Sequence, residues 1–297
     1  MSLNLKPRSI FKRSLWLFLL IGCGTMIVIY SKTRHVFPCG GSVRDNYTSQ
    51  YPYIALIADD RATISLVNAV LNVLQHIPSD WKVQIMTPNK NWPFYRNSAL
   101  ISFLETGRVF LTGFGEGRTG VLDGLNINLL LTSASFWRQV QGDKILFFQI
   151  DSVLCSNSSY KLEEFSKYDF IGAPWTNGAC CNGGLSLRSR SKTLQLLEQS
   201  PFRYKLHSRH EDEWLTIHLE YCGASIAPSS IARRFSVETV YHSRPFGIHN
   251  PHLSKIGPAN MDRLCNECPE ARSVFPVCQS IKNRTVPNRN PRRSRLS

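Results

Sequence analysis

The chain has 297 residues, 42% of them hydrophobic and 19% charged, a balance that excludes a disordered or fibrous chain and suits one large α/β domain or two small ones. Its formal net charge of +14 is held at the two ends, because residues 1–35 and residues 279–297 each carry six Lys and Arg and no acid. The body, 36–278, is left at +2, which argues against a basic nucleic-acid groove.

The first element is Ser14–Tyr30, 17 residues without a charge. That is the lower limit for crossing a bilayer, and it is longer than a cleaved signal peptide requires. Four cations precede it and two follow closely, a bias that keeps the N-terminus cytosolic and carries the rest across. The expected organisation is a cytosolic tail at 1–13, a transmembrane anchor at 14–30, a polar stem at 31–50, a catalytic-sized domain at 51–278 and a disordered basic tail at 279–297.

Within the domain, strand and helix patterns alternate. Tyr53–Ile57 is an apolar run that ends at Asp59 and Asp60, the pattern of a buried strand. Thr63–Gln75 has helical spacing, Lys82–Met86 is a second strand, Trp92–Glu105 is predicted helical and Val109–Thr112 strand-like. Asn126–Val140 has helical periodicity, and Lys144–Ile150 is a strongly apolar strand ending at Asp151. Helices are predicted again over Ser191–Gln199 and from His210 to about Tyr221. Such alternation predicts a mainly parallel sheet covered by helices, with ligands beyond the carboxyl ends of the strands, where Asp59, Asp60 and Asp151 stand.

Lumenal exposure has two further signals. Asn46, Asn157 and Asn283 each begin a glycosylation sequon. Beyond Cys23 in the anchor, eight cysteines form an even set, as disulfides require. Cys265, Cys268 and Cys278 could instead hold zinc, but only three sulfurs lie close and no His has finger spacing, so disulfides are expected.

Four constellations could carry chemistry. Asp151, ending the stretch Phe148–Asp151, is a strand-end carboxylate that could hold a divalent cation on two phosphates; the plainer role is a turn cap. Asn182, Gly183 and Gly184 would let backbone approach a sugar closely, or simply make a tight turn. Glu211, Asp212 and Glu213 follow His210 at a helix start; they complement the dipole, and one could be a general base. His249, in a Pro- and Gly-bounded loop, could complete a metal shell or lie free on the surface. Trp175 could stack on a sugar or a base, or belong to the core.

The order of these parts along the chain is the order found in glycosyltransferases of the GT-A fold. The stretches ILFFQIDSVLC (145–155), YDFIGAPW (168–175), NGGLSLRSR (182–190), EDEW (211–214), ARRFSVE (232–238) and PFGIH (245–249) together resemble a domain-of-unknown-function family regarded as glycosyltransferase-like. The resemblance spans about residues 50–255. It implies a GT-A-like, Rossmann-like fold and sugar transfer from a nucleotide-sugar to a hydroxyl of a glycan, protein or lipid; the anchor, sequons and cysteines put the expected compartment in the Golgi or endoplasmic reticulum. It places Asp151 as the last Asp of the metal motif and His249 as the late metal ligand, for Mn²⁺ or Mg²⁺. Asn182, Gly183 and Gly184 would line the sugars, and Asp212, with Glu211 beside it, would be the base; Asp59, by its place at a strand end, and Trp175, by its ring, are the expected further substrate contacts. One position departs: Gln149 stands where the motif has its first Asp, and a neutral amide binds the cation more weakly. That departure motivates the alternative of a catalytically inactive, membrane-tethered carbohydrate-binding protein.

Overall fold

Residues 49–113, 124–202 and 210–280 are described in the structure, a computed structural model, and all fall in one compact unit, Phe37–Ser297. The expected cytosolic tail and anchor, the stem up to residue 48, Cys39, Asn46, Asn283 and the basic tail from residue 281 lie outside the described residues. Among the described residues, no helix is long and apolar enough to cross a membrane.

The central sheet has six strands, numbered here in chain order: β1 (Tyr51–Ala58), β2 (Lys82–Thr87), β3 (Val109–Gly113), β4 (Gly142–Phe148), β6 (Phe170–Ala173) and β7 (Asn182–Ser189). Their order across the sheet is β3-β2-β1-β4-β7-β6. β1 to β4 pair in parallel, and β7 runs against both β4 and β6. The expected mainly parallel sheet is therefore present, with one antiparallel strand. Ile54–Ile57 of β1 and Ile145–Phe148 of β4 are all buried, as central strands covered on both faces must be. The helix Ile64–His76 covers one face through Leu66, Val67, Val70, Val73 and Leu74. Thr63 starts it, its hydroxyl accepting the Leu66 N–H at 3.3 Å.

Two predicted helices are broken. Trp92–Glu105 forms two short helices, Trp92–Arg96 and Ile101–Glu105, with the Ser98 hydroxyl donating to the Tyr95 carbonyl at the break. Asn126–Val140 forms Gly124–Leu131 and Ala134–Arg138, where the Thr132 hydroxyl donates to Asn128 O and Ser133 is extended. At the first break the Tyr95 carbonyl accepts the Ser98 N–H, three residues on, together with the Ser98 hydroxyl; at the second the Thr132 N–H still makes its helical bond to Asn128 O, and the helix stops where Ser133 turns extended.

A second, smaller sheet sits beyond β4. It consists of β5 (Ser152–Leu154), β9 (Gly247–His249) and β8 (Ser236–Val237), in that spatial order. β4 ends two residues earlier than expected. A turn at Gln149–Ser152, closed by Ser152 N–H to Gln149 O at 3.0 Å, carries the chain directly from the large sheet into the small one. The small sheet has its own core, in which Val153, Val237 and Ile248 pack with Met261, Leu264 and Phe275 of the C-terminal helices. The disulfides Cys155–Cys268 and Cys265–Cys278 staple this second core. Cys265 and Cys268 thus have sulfur partners, as expected over zinc. Cys180 pairs with Cys181, and Cys222 is also disulfide-bonded.

Candidate functional site

The register of the small sheet builds the site. β5 and β9 are antiparallel with Ser152 opposite His249, so the preceding turn residue, Asp151, lies beside the histidine. The last β4–β7 pair is Phe148 with Leu185, which leaves Asn182–Gly184 projecting past β4 over the Gln149–Asp151 turn. The Ser152 hydroxyl donates to the Gly184 carbonyl at 3.1 Å and ties the two together.

His249 Nε2 lies 3.2 Å from Gln149 Oε1 and 3.5 Å from Asp151 Oδ1, and its Nδ1 faces Glu238 Oε1 at 3.6 Å. Burial works against charge on the ring, but Asp151 and Glu238 outweigh it and lift its pKa to about 9. The Asp151 carboxyl feels the opposite balance: its partial burial raises the pKa, and the hydrogen bond and charge of His249 bring it below the ordinary value. Gly184 is required here, because a Cβ on it would overlap the His249 ring.

Asp212 reaches the neighbouring glycine. Its Oδ2 accepts the Gly183 N–H at 2.9 Å and its Oδ1 the Glu213 N–H at 2.8 Å. It stands in the first turn of the helix Glu211–Tyr221, where the dipole favours an anion. Burial nevertheless raises its pKa above the ordinary value, against the two N–H bonds. Glu211 does not share this position. It turns inward and is buried, its Oε1 accepting from Arg188 Nη2 at 3.0 Å. Arg188 is itself buried among Phe147, Phe170 and Trp137, with ring centroids 5.0, 5.2 and 5.9 Å away. Arg188 also donates to the Gly183 carbonyl at 3.0 Å, so one guanidinium holds both the glycine and the helix start. Burial pushes the Glu211 pKa up to about 7, although Arg188 pulls the other way.

Asn182 bridges the two halves. Its Oδ1 accepts the Gly184 N–H at 2.9 Å and its Nδ2 donates to Glu238 Oε1 at 3.0 Å. Asp59 lies at the end of β1, as expected, but is buried and its carboxylate is taken by Arg61, at 2.9 Å to the backbone N–H and Nε and 2.6 Å to Nη2. The exposed group there is the Arg61 guanidinium, on which the charges of Asp60 and Asp151 also act. Trp175 is partly exposed, on the turn between β6 and β7 that its N–H closes onto Ala179 O at 2.9 Å. Asp151, Asn182, Gly183, Gly184, Asp212 and His249 therefore come together, while Asp59 stands at the next strand end and Glu211 belongs to the interior beneath.

The residues present fit a divalent cation as an incomplete shell. Adjacent ligands around an octahedral Mg²⁺ stand roughly 3 Å apart, close to the spacing of His249 Nε2 from the oxygens of Gln149 and Asp151. Among the described residues, no three His, Cys, Asp or Glu side chains gather as a metal site, so phosphate and water oxygens would have to complete it.

Residues 121–249, from the helix Gly124–Leu131 through β9, match the model of a family described as Protein of unknown function (DUF5672). No curated protein matches the sequence significantly. The structure is similar to that of the glycosyltransferase GlyE of Streptococcus pneumoniae TIGR4, with TM-score 0.44 and 13% identity, over 70% of this chain and 56% of that one. It is similar to the galactosyltransferase LgtC in complex with donor and acceptor sugar analogs, with TM-score 0.44 and 13% identity, over 80% of this chain and 97% of that one. It is also similar to S. aureus TarS 1–349, with TM-score 0.37 and 11% identity, over 72% of this chain and 64% of that one.

Proposed function

We propose that the chain is a glycosyltransferase that moves a sugar from a nucleotide-sugar to a hydroxyl acceptor. One observation supports this most: Asp212 and His249 meet the start of β7 at adjacent glycines, with Asp151 beside the histidine. A basic carboxylate and a charge-holding pair then flank one backbone segment that nothing larger than glycine permits.

On this reading Asp212 takes the proton of the acceptor hydroxyl as that oxygen bonds to the anomeric carbon. The bond from that carbon to the diphosphate oxygen breaks, and its electron pair leaves with the nucleoside diphosphate. The Gly183 and Glu213 N–H groups orient the Asp212 carboxylate, and its burial makes it more basic. Asn182, Gly183 and Gly184 line the sugar, and Asp59, through Arg61, and Trp175 contact the donor. A divalent cation, Mn²⁺ or Mg²⁺, held by Asp151 and His249 with the Gln149 oxygen, would supply positive charge for the leaving diphosphate. The domain is lumenal and tethered by the 14–30 anchor, in the Golgi or endoplasmic reticulum; the disulfides Cys155–Cys268 and Cys265–Cys278 support an oxidising compartment.

A second reading, an inactive carbohydrate-binding protein, is favoured by Gln149 at the metal motif and by Asp212 having both oxygens already bonded. Incubating the full chain with UDP- and GDP-sugars and Mn²⁺ separates the two, since turnover supports the enzyme and sugar binding without turnover supports the alternative. Asp212→Asn is expected to lose about 10²–10⁴-fold in transfer while keeping nucleoside diphosphate binding and melting temperature. Unchanged turnover in that variant removes Asp212 as the base.

A further inference from the structure

Glu238 is a buried acid at the end of β8, 6% exposed, with no Lys or Arg in ion pair with it among the described residues. β8 runs parallel to β9 with Ser236 beside Gly247 and Val237 beside Ile248, so the register brings Glu238 alongside His249. One oxygen, Oε1, accepts from Asn182 Nδ2 at 3.0 Å and stands 3.6 Å from His249 Nδ1, within ion-pair range but beyond hydrogen-bond reach. Neither group can turn away. The Asn182 amide is oriented because its oxygen already accepts the Gly184 N–H. The His249 ring is buried against Gly184, and Nδ1 has no closer partner among the described residues.

We propose that Glu238 is the positioning residue of the site: its carboxylate fixes the His249 ring and the Asn182 amide together, and so aligns the charge-holding side of the cleft with the sugar-lining side. The inference rests on the assignment of His249 and Asp151 under Proposed function. A carboxylate facing Nδ1 holds the Nε2 side of the ring between Asp151 and Gln149; with a cation in place of the Nε2 proton, the remaining proton would sit on Nδ1 beside Glu238. Second partners of this kind typically govern metal affinity by 10–100-fold. Glu238 acts through His249 and Asn182 and touches no reacting atom.

The test uses the full chain, Mn²⁺ alone as the first probe and UDP and GDP as the second, with affinities from calorimetry. Glu238→Ala is expected to weaken Mn²⁺ binding on the order of 10–100-fold without loss of the folded far- and near-ultraviolet dichroism. Glu238→Gln, which keeps the shape and one acceptor, is expected to fall between it and the native protein. Nitrogen NMR of His249 with Mg²⁺ provides a readout that a purely structural role would not move: Nδ1 is expected to be protonated in the native protein and to lose that preference in Glu238→Ala. If Glu238→Ala does not fold, Glu238→Gln decides alone, through Mn²⁺ affinity and the His249 shifts. Native Mn²⁺ affinity together with native His249 shifts in a folded variant overturns the proposal. His249→Ala and Asp151→Ala serve as the separate control. If they leave Mn²⁺ and UDP or GDP binding unchanged, the assignment beneath fails; if they abolish it and the Glu238 variants do not, only the role of Glu238 fails.

Discussion

At the scale of single residues, half-buried Asp212 and buried His249 are shifted in chemically different ways. Both have pKa values above their ordinary ones, Asp212 because burial disfavours its anion and His249 because two carboxylates favour its cation. For a base the consequence has a sign. Asp212 works deprotonated, so activity is present above its pKa and lost as pH falls through it. Because that pKa is raised from 3.8, the acid limb of kcat/KM is expected at a higher pH than an exposed aspartate would give. A pH–rate profile from acid to neutral checks it, and a limb at or below 3.8 would contradict the assignment. Asp151, Asp212 and His249 were legible because each is a chemically distinctive residue beside a turn or helix signal. Glu238, Arg61 and Arg188 were not. Glu238 follows a strand of two residues, too short to show any period, and its importance comes only from the β8–β9 register. Arg188 alternates with leucines in β7 and has the position of an outward-facing cation, yet it is 1% exposed.

Arg188 matters at the scale of the element it anchors. The helix Glu211–Tyr221 begins at the site because Glu211 is held by Arg188, and Arg188 in turn holds the Gly183 carbonyl. Removing one partner of a buried ion pair leaves the other charge uncompensated, typically at a cost of about 3–5 kcal/mol, whereas replacing both with apolar groups costs far less. Glu211→Ala is therefore expected to destabilise by about that much, and Arg188→Met with Glu211→Leu by less than the single change. Urea denaturation of the three variants measures it, and additive losses would show that the pair is not a unit. The same element shows what a one-dimensional pattern cannot tell: three consecutive acids read as equivalent candidates, but helical geometry points Glu211 into the core and Asp212 toward Gly183. The two broken helices were missed for a related reason. Their apolar spacing continues across the break, while the tight closure at Ser98 and the extended backbone at Ser133 leave no mark in that spacing.

For the whole molecule, the site is a seam between two hydrophobic cores. Four strands of the large sheet, β1 to β4, were legible from their apolar runs, whereas β6 and the antiparallel β7 were not, β6 having only four residues and β7 interleaving glycines and polar residues with its leucines. The small sheet was not, since its strands have two or three residues and gain their burial from helices that follow later in the chain. Cys155–Cys268 joins β5 to those helices across 113 residues. Losing such a bond costs a small domain about 2–5 kcal/mol. Reduction, or Cys155→Ser with Cys268→Ser, is thus expected to lower the melting temperature and to weaken nucleoside diphosphate binding. Thermal melts with and without reductant check the first part, and an unchanged melting temperature would mean that the second core holds without its staple.

The turn from Gln149 to Ser152 has a consequence for how this protein can diverge. Its closure uses only the backbone of Gln149, whose oxygen accepts the Ser152 N–H and whose N–H meets the Ser152 hydroxyl. The turn therefore closes whatever side chain stands there, although an exchange would lose the oxygen 3.2 Å from His249 Nε2, while the count is fixed. One inserted residue would slide β5 along β9 and set His249 against a different neighbour, so descendants of this chain should keep the spacing long after they have exchanged the side chain.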